Sequence, residues 1–170
     1  MSLIEKALIS STAHGSPGAR DDWETPAWIF SELDREFSFT LDAAATRLTR
    51  KVERFIGPEE DGLKTPWGGP GSRVWLNPPY GRAVKHWVRR AYEQSREGAV
   101  VVVLVFSRTD TSWWHDYAMK ASEIRFVRGR LRFLQDGEEK DPSPAPSCLL
   151  VFTPWSSGPP KIRAMEKPKE

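Results

Sequence analysis

Asn77-Pro78-Pro79-Tyr80 sets a carboxamide and a phenol ring on one short turn, after the apolar lead-in Val74-Trp75-Leu76 and before Gly81. Two successive prolines can neither extend a hydrogen-bonded ladder nor continue into an ordinary helix interior, so a strand entering this turn stops there. The fixed proline φ angles hold the amide and the ring stiffly at the strand's C-terminal end, the edge at which open α/β sheets bind ligands. An amide that accepts hydrogen bonds from an amino group, beside a ring that stacks on a flat base, suits chemistry on an exocyclic amine. A rigid turn with a surface tyrosine is the alternative for Pro-Pro-Tyr taken alone. The remaining chain decides between them.

Two further segments offer chemistry at the same edge. Asp42 closes an alternating stretch, Phe37-Ser38-Phe39-Thr40-Leu41, and is followed by Ala43, Ala44 and Ala45. A carboxylate there can hold a cationic amino group while small residues let a ligand near the backbone, or it can simply cap the following turn. Thr25-Pro26 has the composition of a helix start, with Thr as cap and Pro in the first turn. Asp61-Gly62 is an ordinary turn dipeptide.

Elements that position these segments follow from the hydrophobic pattern. Trp28, Ile29, Leu33 and Phe37 recur at helical spacing and predict a helix over 26–36. Phe37–Leu41 reads as a strand ending at Asp42, a short strand is possible near 52–56, and 73–77 is the next strand. Val84, Trp87, Val88, Ala91 and Tyr92 predict an amphipathic helix over 82–96 that ends at Gly98. The run Val100–Phe106 is continuously apolar, as a parallel strand buried on both faces should be. A short helix over Ser112–Met119 and strands at Glu123–Val127 and Cys148–Phe152 complete the series. The pattern is α/β, a Rossmann-like sheet, mostly parallel, with an antiparallel strand at one edge. About thirty residues lie between Asp42 and Arg73, where two full strand–helix units need roughly twice that. The sheet is therefore expected to be abbreviated between the first strand and the Asn-Pro-Pro-Tyr strand.

Size and composition set outer limits. With 170 residues, 39% hydrophobic and 28% charged, the chain reads as one domain over 21–155. A flexible arm is expected over 1–20 and a flexible tail over 156–170. No apolar run reaches the roughly 20 residues of a membrane span, and no secretory signal is apparent. One cysteine, Cys148, in an apolar run and three scattered histidines make neither a disulfide nor a metal-ligand cluster. The expectation is a cytoplasmic protein without metal. The net charge of +2 is small, but arginines cluster after the Pro-Pro-Tyr turn (Arg82, Arg89, Arg90) and at Arg128, Arg130 and Arg132. Such clusters are solvated faces or phosphate-binding surfaces; Arg108, after the central apolar run, faces the site or closes a loop.

In its ordered set of blocks the sequence resembles the phage-type DNA N-6-adenine methyltransferases, a family of S-adenosylmethionine-dependent amino-methyltransferases. The blocks are Asp22-Trp23-Glu24-Thr25-Pro26, Phe39–Ala45, Asp61-Gly62-Leu63 with Trp67, Val74–Gly81, Arg108–Thr111 with Trp113, His115 and Asp116, and Gly129–Phe133. They cover 21–153. The family often carries Pro-Cys-Ala where this chain has Ala43–Ala45. The resemblance implies methyl transfer from S-adenosylmethionine to the N6 amine of adenine in DNA, in host cytoplasm if the gene is of phage or prophage origin. Cytosine's exocyclic amine, an RNA base, or a silent nucleic-acid binder of the same fold are the other readings that the four-residue motif leaves open. It further implies that Asn77 and the Pro78 carbonyl accept hydrogen bonds from the target amine, with Pro79 fixing the turn and Tyr80 stacking on an extruded base. Trp23, Thr25 and Pro26 would touch the cofactor's methionine part, and Asp42 with Ala43 and Ala44 its amino end. Asp61 and Leu63 would lie at the adenine or ribose. Arg82, Arg108, Arg128, Arg130 and Arg132 are the expected DNA contacts.

Overall fold

A computed structural model describes residues 23–169. The first helix, α1 (Ala27–Phe37), presents Ile29 and Leu33 to the core. Pro26, with φ −54° and ψ 135°, occupies the cap position and no side chain caps the helix, so Thr25 does not play the capping part its type suggests. The helix stops because Ser38 turns left-handed at φ 51°, its N–H donating 2.8 Å to the Asp34 carbonyl. The Asp34 carboxylate accepts the next N–H, from Phe39, at 2.8 Å. Helical spacing thus persists one residue beyond the expected end. The expected strand at 37–41 shrinks to β1 (Leu41–Asp42), because Phe37 remains helical and Phe39 is used as a buried ring between Phe37, Phe30 and Trp75.

The sheet continues with β2 (Arg73–Leu76), then α2 (Val84–Arg96) and β3 (Val100–Phe106). A short helix, α3 (Ser112–Asp116), and a 3-10 turn (Ala118–Lys120) lead into β4 (Glu123–Val127). A two-stranded hairpin of β5 (Leu134–Gln135) and β6 (Glu138–Glu139) follows, then β7 (Ser147–Phe152) and β8 (Lys161–Met165). The main sheet has six strands in the order β1-β2-β3-β7-β4-β8. β1, β2 and β3 are parallel, β7 runs antiparallel to both β3 and β4, and β8 is parallel to β4.

The Rossmann-like class holds, with two corrections. The antiparallel strand is interior, between β3 and β4, rather than at the edge. It is interior because β4 pairs along its far side. The 156–170 segment, expected as a flexible tail, supplies the edge strand β8: beyond Pro159-Pro160 the chain pairs along the whole of β4, from Glu123↔Lys161 to Val127↔Met165. The expected arm over 1–20 lies outside the described residues.

β3 carries the packing. Val101, Val103 and Val105 face a layer formed by Trp87, Val88 and Ala91 of α2 and by Trp113 and Trp114 of α3. Val102, Leu104 and Phe106 face Ile29 and Leu33 of α1, with Leu131 and Phe133. Each such side chain contributes about 1.5–3 kcal/mol on burial, so this strand fixes where its neighbours' ends lie. As expected, the β1–β2 connection is abbreviated: among the described residues it holds turns and one bridge, Asp42↔Phe55, and no further named strand or helix. The parallel strands therefore end together, bringing Asp42, Asn77, Ser107 and Arg128 to one edge.

Candidate active site

Where β2 ends, the side chain of Asn77 turns toward the segment that precedes α1. Its Nδ2 donates to the Trp23 carbonyl at 3.1 Å and to Thr25 Oγ1 at 3.2 Å. Its Oδ1 is buried without a hydrogen-bond partner. A buried acceptor left empty costs roughly 1–3 kcal/mol, and here the amide's other end is held so that this acceptor stays open. Thr25, 1% exposed, is locked by this contact. On its other side the segment is pinned by the hairpin, Glu24 and Leu134 exchanging backbone bonds of 2.8 and 3.1 Å.

Pro78 is buried, and Tyr80 packs its ring against Phe106 at 4.5 Å, Phe133 at 5.8 Å and Trp23 at 6.2 Å. Trp23 in turn stacks on Phe133 at 5.0 Å. Burial holds the Tyr80 phenol well above its usual pKa, so the ring is a neutral surface. It borders a cavity of about 200 Å3 shared with Gly81, Val84, Phe106, Arg108 and Trp113. That lies below the roughly 300 Å3 at which drug-sized pockets begin, and suits one flat ring more than an extended ligand.

Asp42 sits at the end of the neighbouring strand, 2% exposed. Its Oδ2 accepts the Lys51 N–H at 3.0 Å and its Oδ1 the Ala44 N–H at 3.4 Å. Burial raises its pKa to about 6 against the pull of those two amides and the Lys51 charge. The carboxylate therefore closes the loop after β1, and each oxygen keeps acceptor capacity beyond the one N–H it holds. Ala43 bonds back to the Trp75 carbonyl at 3.0 Å, which leaves its small side chain in the core. The Asp61-Gly62-Leu63 turn packs directly on it: a Cβ at Gly62 would fall on the Ala43 carbonyl oxygen and within 2.8 Å of the Trp87 ring. Asp61, at φ 56°, accepts the Leu63 N–H at 3.1 Å, and Trp67 Nε1 donates to the Gly62 carbonyl at 2.9 Å. Two clusters thus meet at adjacent strand ends: Trp23, Thr25, Pro26, Asn77 and Tyr80 in one, and Asp42, Ala43, Ala44, Asp61 and Leu63 in the other.

The arginines divide. Arg108 is exposed at the cavity mouth with its guanidinium 5.7 Å from the Phe106 ring. Arg82 is exposed after the turn. Arg128, Arg130 and Arg132 all lie outside, on an irregular stretch after β4 whose Leu131 and Phe133 are buried. Arg128 pairs with Glu166 at 3.2 Å and Arg132 with Glu139 at 3.7 Å, while Arg130 donates to the Ser143 carbonyl at 3.3 Å.

Three residues that line the cavity, Val84, Phe106 and Trp113, and the ring of Phe133 packed against Tyr80 are not among the expected site residues. Phe106 looks like the last member of a core run, and nothing local marks its ring as facing a cavity. Trp113 and Phe133 stand inside the resembling blocks, and that is the signal for them. Among the described residues no helix is long and apolar enough to cross a membrane, and no group of His, Cys, Asp and Glu could hold a metal ion.

Comparison with known proteins identifies the family and the fold. The family model described as DNA N-6-adenine-methyltransferase (Dam) matches residues 12–169. The DNA N-6-adenine-methyltransferase of Haemophilus phage HP1 is 31% identical over 140 residues, 79% of this chain and 80% of that protein. That of Escherichia phage T1 is 33% identical over 140 residues, 82% of this chain and 56% of the phage protein, so the match spans just over half of that relative. In fold the chain is similar to a Listeria monocytogenes protein described as a class I S-adenosylmethionine-dependent methyltransferase. The TM-score is 0.55 at 14% identity, over 96% of this chain and 71% of the other. The Rossmann-like sheet is thus a methyltransferase sheet, and the chain belongs to the DNA N-6-adenine-methyltransferase family.

Proposed function

We propose that the chain carries out its family's reaction, methyl transfer from S-adenosylmethionine to the N6 amine of adenine in DNA, at the Asn77–Tyr80 turn and on a base swung out of the duplex. The observation that carries this reading is the unpartnered, buried Asn77 Oδ1. An amine donating to that oxygen and to the Pro78 carbonyl has its nitrogen lone pair turned away from both acceptors. Positive charge that grows on the nitrogen during transfer meets two oxygen dipoles already in place.

The residues fit the cofactor. Asp42 offers a carboxylate for an ammonium group, Ala43 and Ala44 leave room beside it, and Trp23, Thr25 and Pro26 lie along the adjacent strand end. Asp61 and Leu63 border the same cluster. Bound S-adenosylmethionine supplies a methyl on a sulfonium that is itself an excellent leaving group. Asn77 Oδ1 and the Pro78 carbonyl would orient the accepting amine toward that methyl and hold its proton-bearing side. This chain's part is to align and to exclude water, and alignment supplies much of the rate.

Inside a duplex the N6 amine faces its partner base, so reaching Asn77 requires extrusion. The aromatic wall of Tyr80, Phe106 and Trp113 receives a flat ring, and Arg82 and Arg108 stand where flanking phosphates would pass. In a host carrying the gene, the reaction runs in the cytoplasm, where the DNA lies.

A duplex with 2-aminopurine at the target adenine tests extrusion. Fluorescence should rise severalfold on binding and rise less with Tyr80→Ala; no rise with the unaltered protein would set base flipping aside.

A further inference from the structure

We infer that the β5–β6 hairpin is the element that reads DNA sequence, entering the major groove beside the target adenine with Gln135 and Glu138 toward the base edges. The inference rests on the family's DNA substrate.

Placement is the first argument. The hairpin leaves the sheet after β4, at the edge that carries Asn77, and forms its own two-stranded sheet. Its root is part of the site wall: Phe133 touches Trp23 and Tyr80, Leu134 pairs with Glu24, and Lys140 N–H closes on the Phe133 carbonyl at 2.8 Å. A base held against Tyr80 therefore brings its neighbours in the duplex up to the hairpin.

Shape is the second. Asp136 and Gly137 at the tip have φ of 55° and 76°, the paired positive angles of a tight hairpin turn. Two backbones about 4.8 Å apart make a ribbon that a major groove of about 12 Å admits.

The third argument is chemical. Gln135 and Glu138 stand directly opposite one another in register, so they share a face of the ribbon. No hydrogen bond or ion pair occupies the side chains of Gln135, Asp136 or Glu138 among the described residues, while Glu139 on the other face is paired with Arg132. Carboxylates are poor partners for phosphates and good ones for base amines: Glu accepts from cytosine N4, and a Gln amide pairs with adenine N6 and N7. The cations suited to phosphates lie at the ribbon's base, at Arg128, Arg130, Arg132 and Lys140. Carboxylate and amide at the tip with arginines at the root is the order a groove-reading ribbon needs.

The test maps the sequence around every N6-methyladenine in methylation-deficient cells expressing the unaltered chain, Gln135→Ala or Glu138→Ala. The unaltered chain should show a defined context, and each variant should lose base preference at one position while still methylating adenine. With purified protein, the ratio of affinities for target and non-target duplexes should fall roughly 5- to 100-fold in each variant. Melting temperatures should not move, since the altered side chains hold nothing in place. An identical context and binding ratio in both variants would overturn the inference, as would an unaltered chain that methylates adenines whatever their neighbours. Absence of N6-methyladenine from the unaltered chain would instead bring down the family reading, and the hairpin's role with it.

Discussion

Thr25 Oγ1 and Asn77 Nδ2 lie 3.2 Å apart and join the segment before α1 to the end of β2. In the proposed reaction Thr25 stands on the cofactor side and Asn77 on the acceptor side, and one hydrogen bond holds the two together. Because the Asn77 amide donates from its nitrogen, the orientation of its oxygen is set by Thr25 and by the Trp23 carbonyl. On that proposal the two reactants' binding segments are tied together before either arrives.

Thr25→Val keeps the side chain's shape and removes that acceptor. With the Trp23 carbonyl still in place, the amide should be held less tightly rather than released. Turnover on DNA should fall about 5- to 10-fold, as loss of about 1 kcal/mol of orientation implies. Single-turnover rates compared with cofactor affinity check this: because the hydroxyl is engaged by Asn77, the rate should drop by a larger factor than the affinity does.

Asp42 ties stability to pH, and, with the cofactor role proposed for it, should tie cofactor binding to pH in the opposite sense. Its pKa is about 6 in the folded chain and near 3.8 in an unfolded one. The folded state therefore holds the extra proton between these values. Stability is highest below about 3.8 as far as this group is concerned, and declines as pH rises through about 6 by on the order of 3 kcal/mol. Asp42→Asn should flatten that slope and raise the melting temperature at pH 8, less about 1 kcal/mol for an amide N–H no longer well accepted. An ammonium ligand needs the ionised form, so S-adenosylmethionine affinity should weaken on acidification through about 6 in the unaltered chain and be weak throughout in the variant. Thermal melts and calorimetry at pH 5, 6 and 8 read both.

Gly62 has no room for a side chain, since its Cβ would meet the Ala43 carbonyl and the Trp87 ring. Gly62→Ala should cost about 1–3 kcal/mol of stability. Because the same turn bears on the loop after Asp42, cofactor affinity should fall as well. A melting curve and a cofactor titration check the two effects, and unchanged values for both would mean that the turn yields easily.

The sequence makes the frame legible where a pattern repeats. The apolar run of β3, the helical period of α2 and the prolines after Asn77 each leave one consistent structure, and all three stand where expected. Expectation fails where a single residue overrides a pattern. Alternation at Phe37–Leu41 looks like a strand, yet Ser38 goes left-handed under the Asp34 cap and Phe39 turns into an aromatic cluster. β8 is hidden because Lys161 to Met165 is almost wholly exposed, so it lacks the apolar signature of a buried strand and is revealed only by its register with β4. In the site, residue types single out Asn77, Tyr80 and Asp42. Phe106 is invisible as lining because by type it only closes the apolar run of β3, and which ring of that run borders a cavity depends on what packs beyond the strand's end.

The most direct measurement of the central claim is the nucleoside composition of DNA from methylation-deficient cells expressing the chain, by mass spectrometry, with and without Asn77→Ala. N6-methyladenine should appear with the unaltered chain and fall by at least about 100-fold in the variant, with the variant still folded by its melting curve. N6-methyladenine that persists in Asn77→Ala, or methylcytosine alone from the unaltered chain, would contradict that claim.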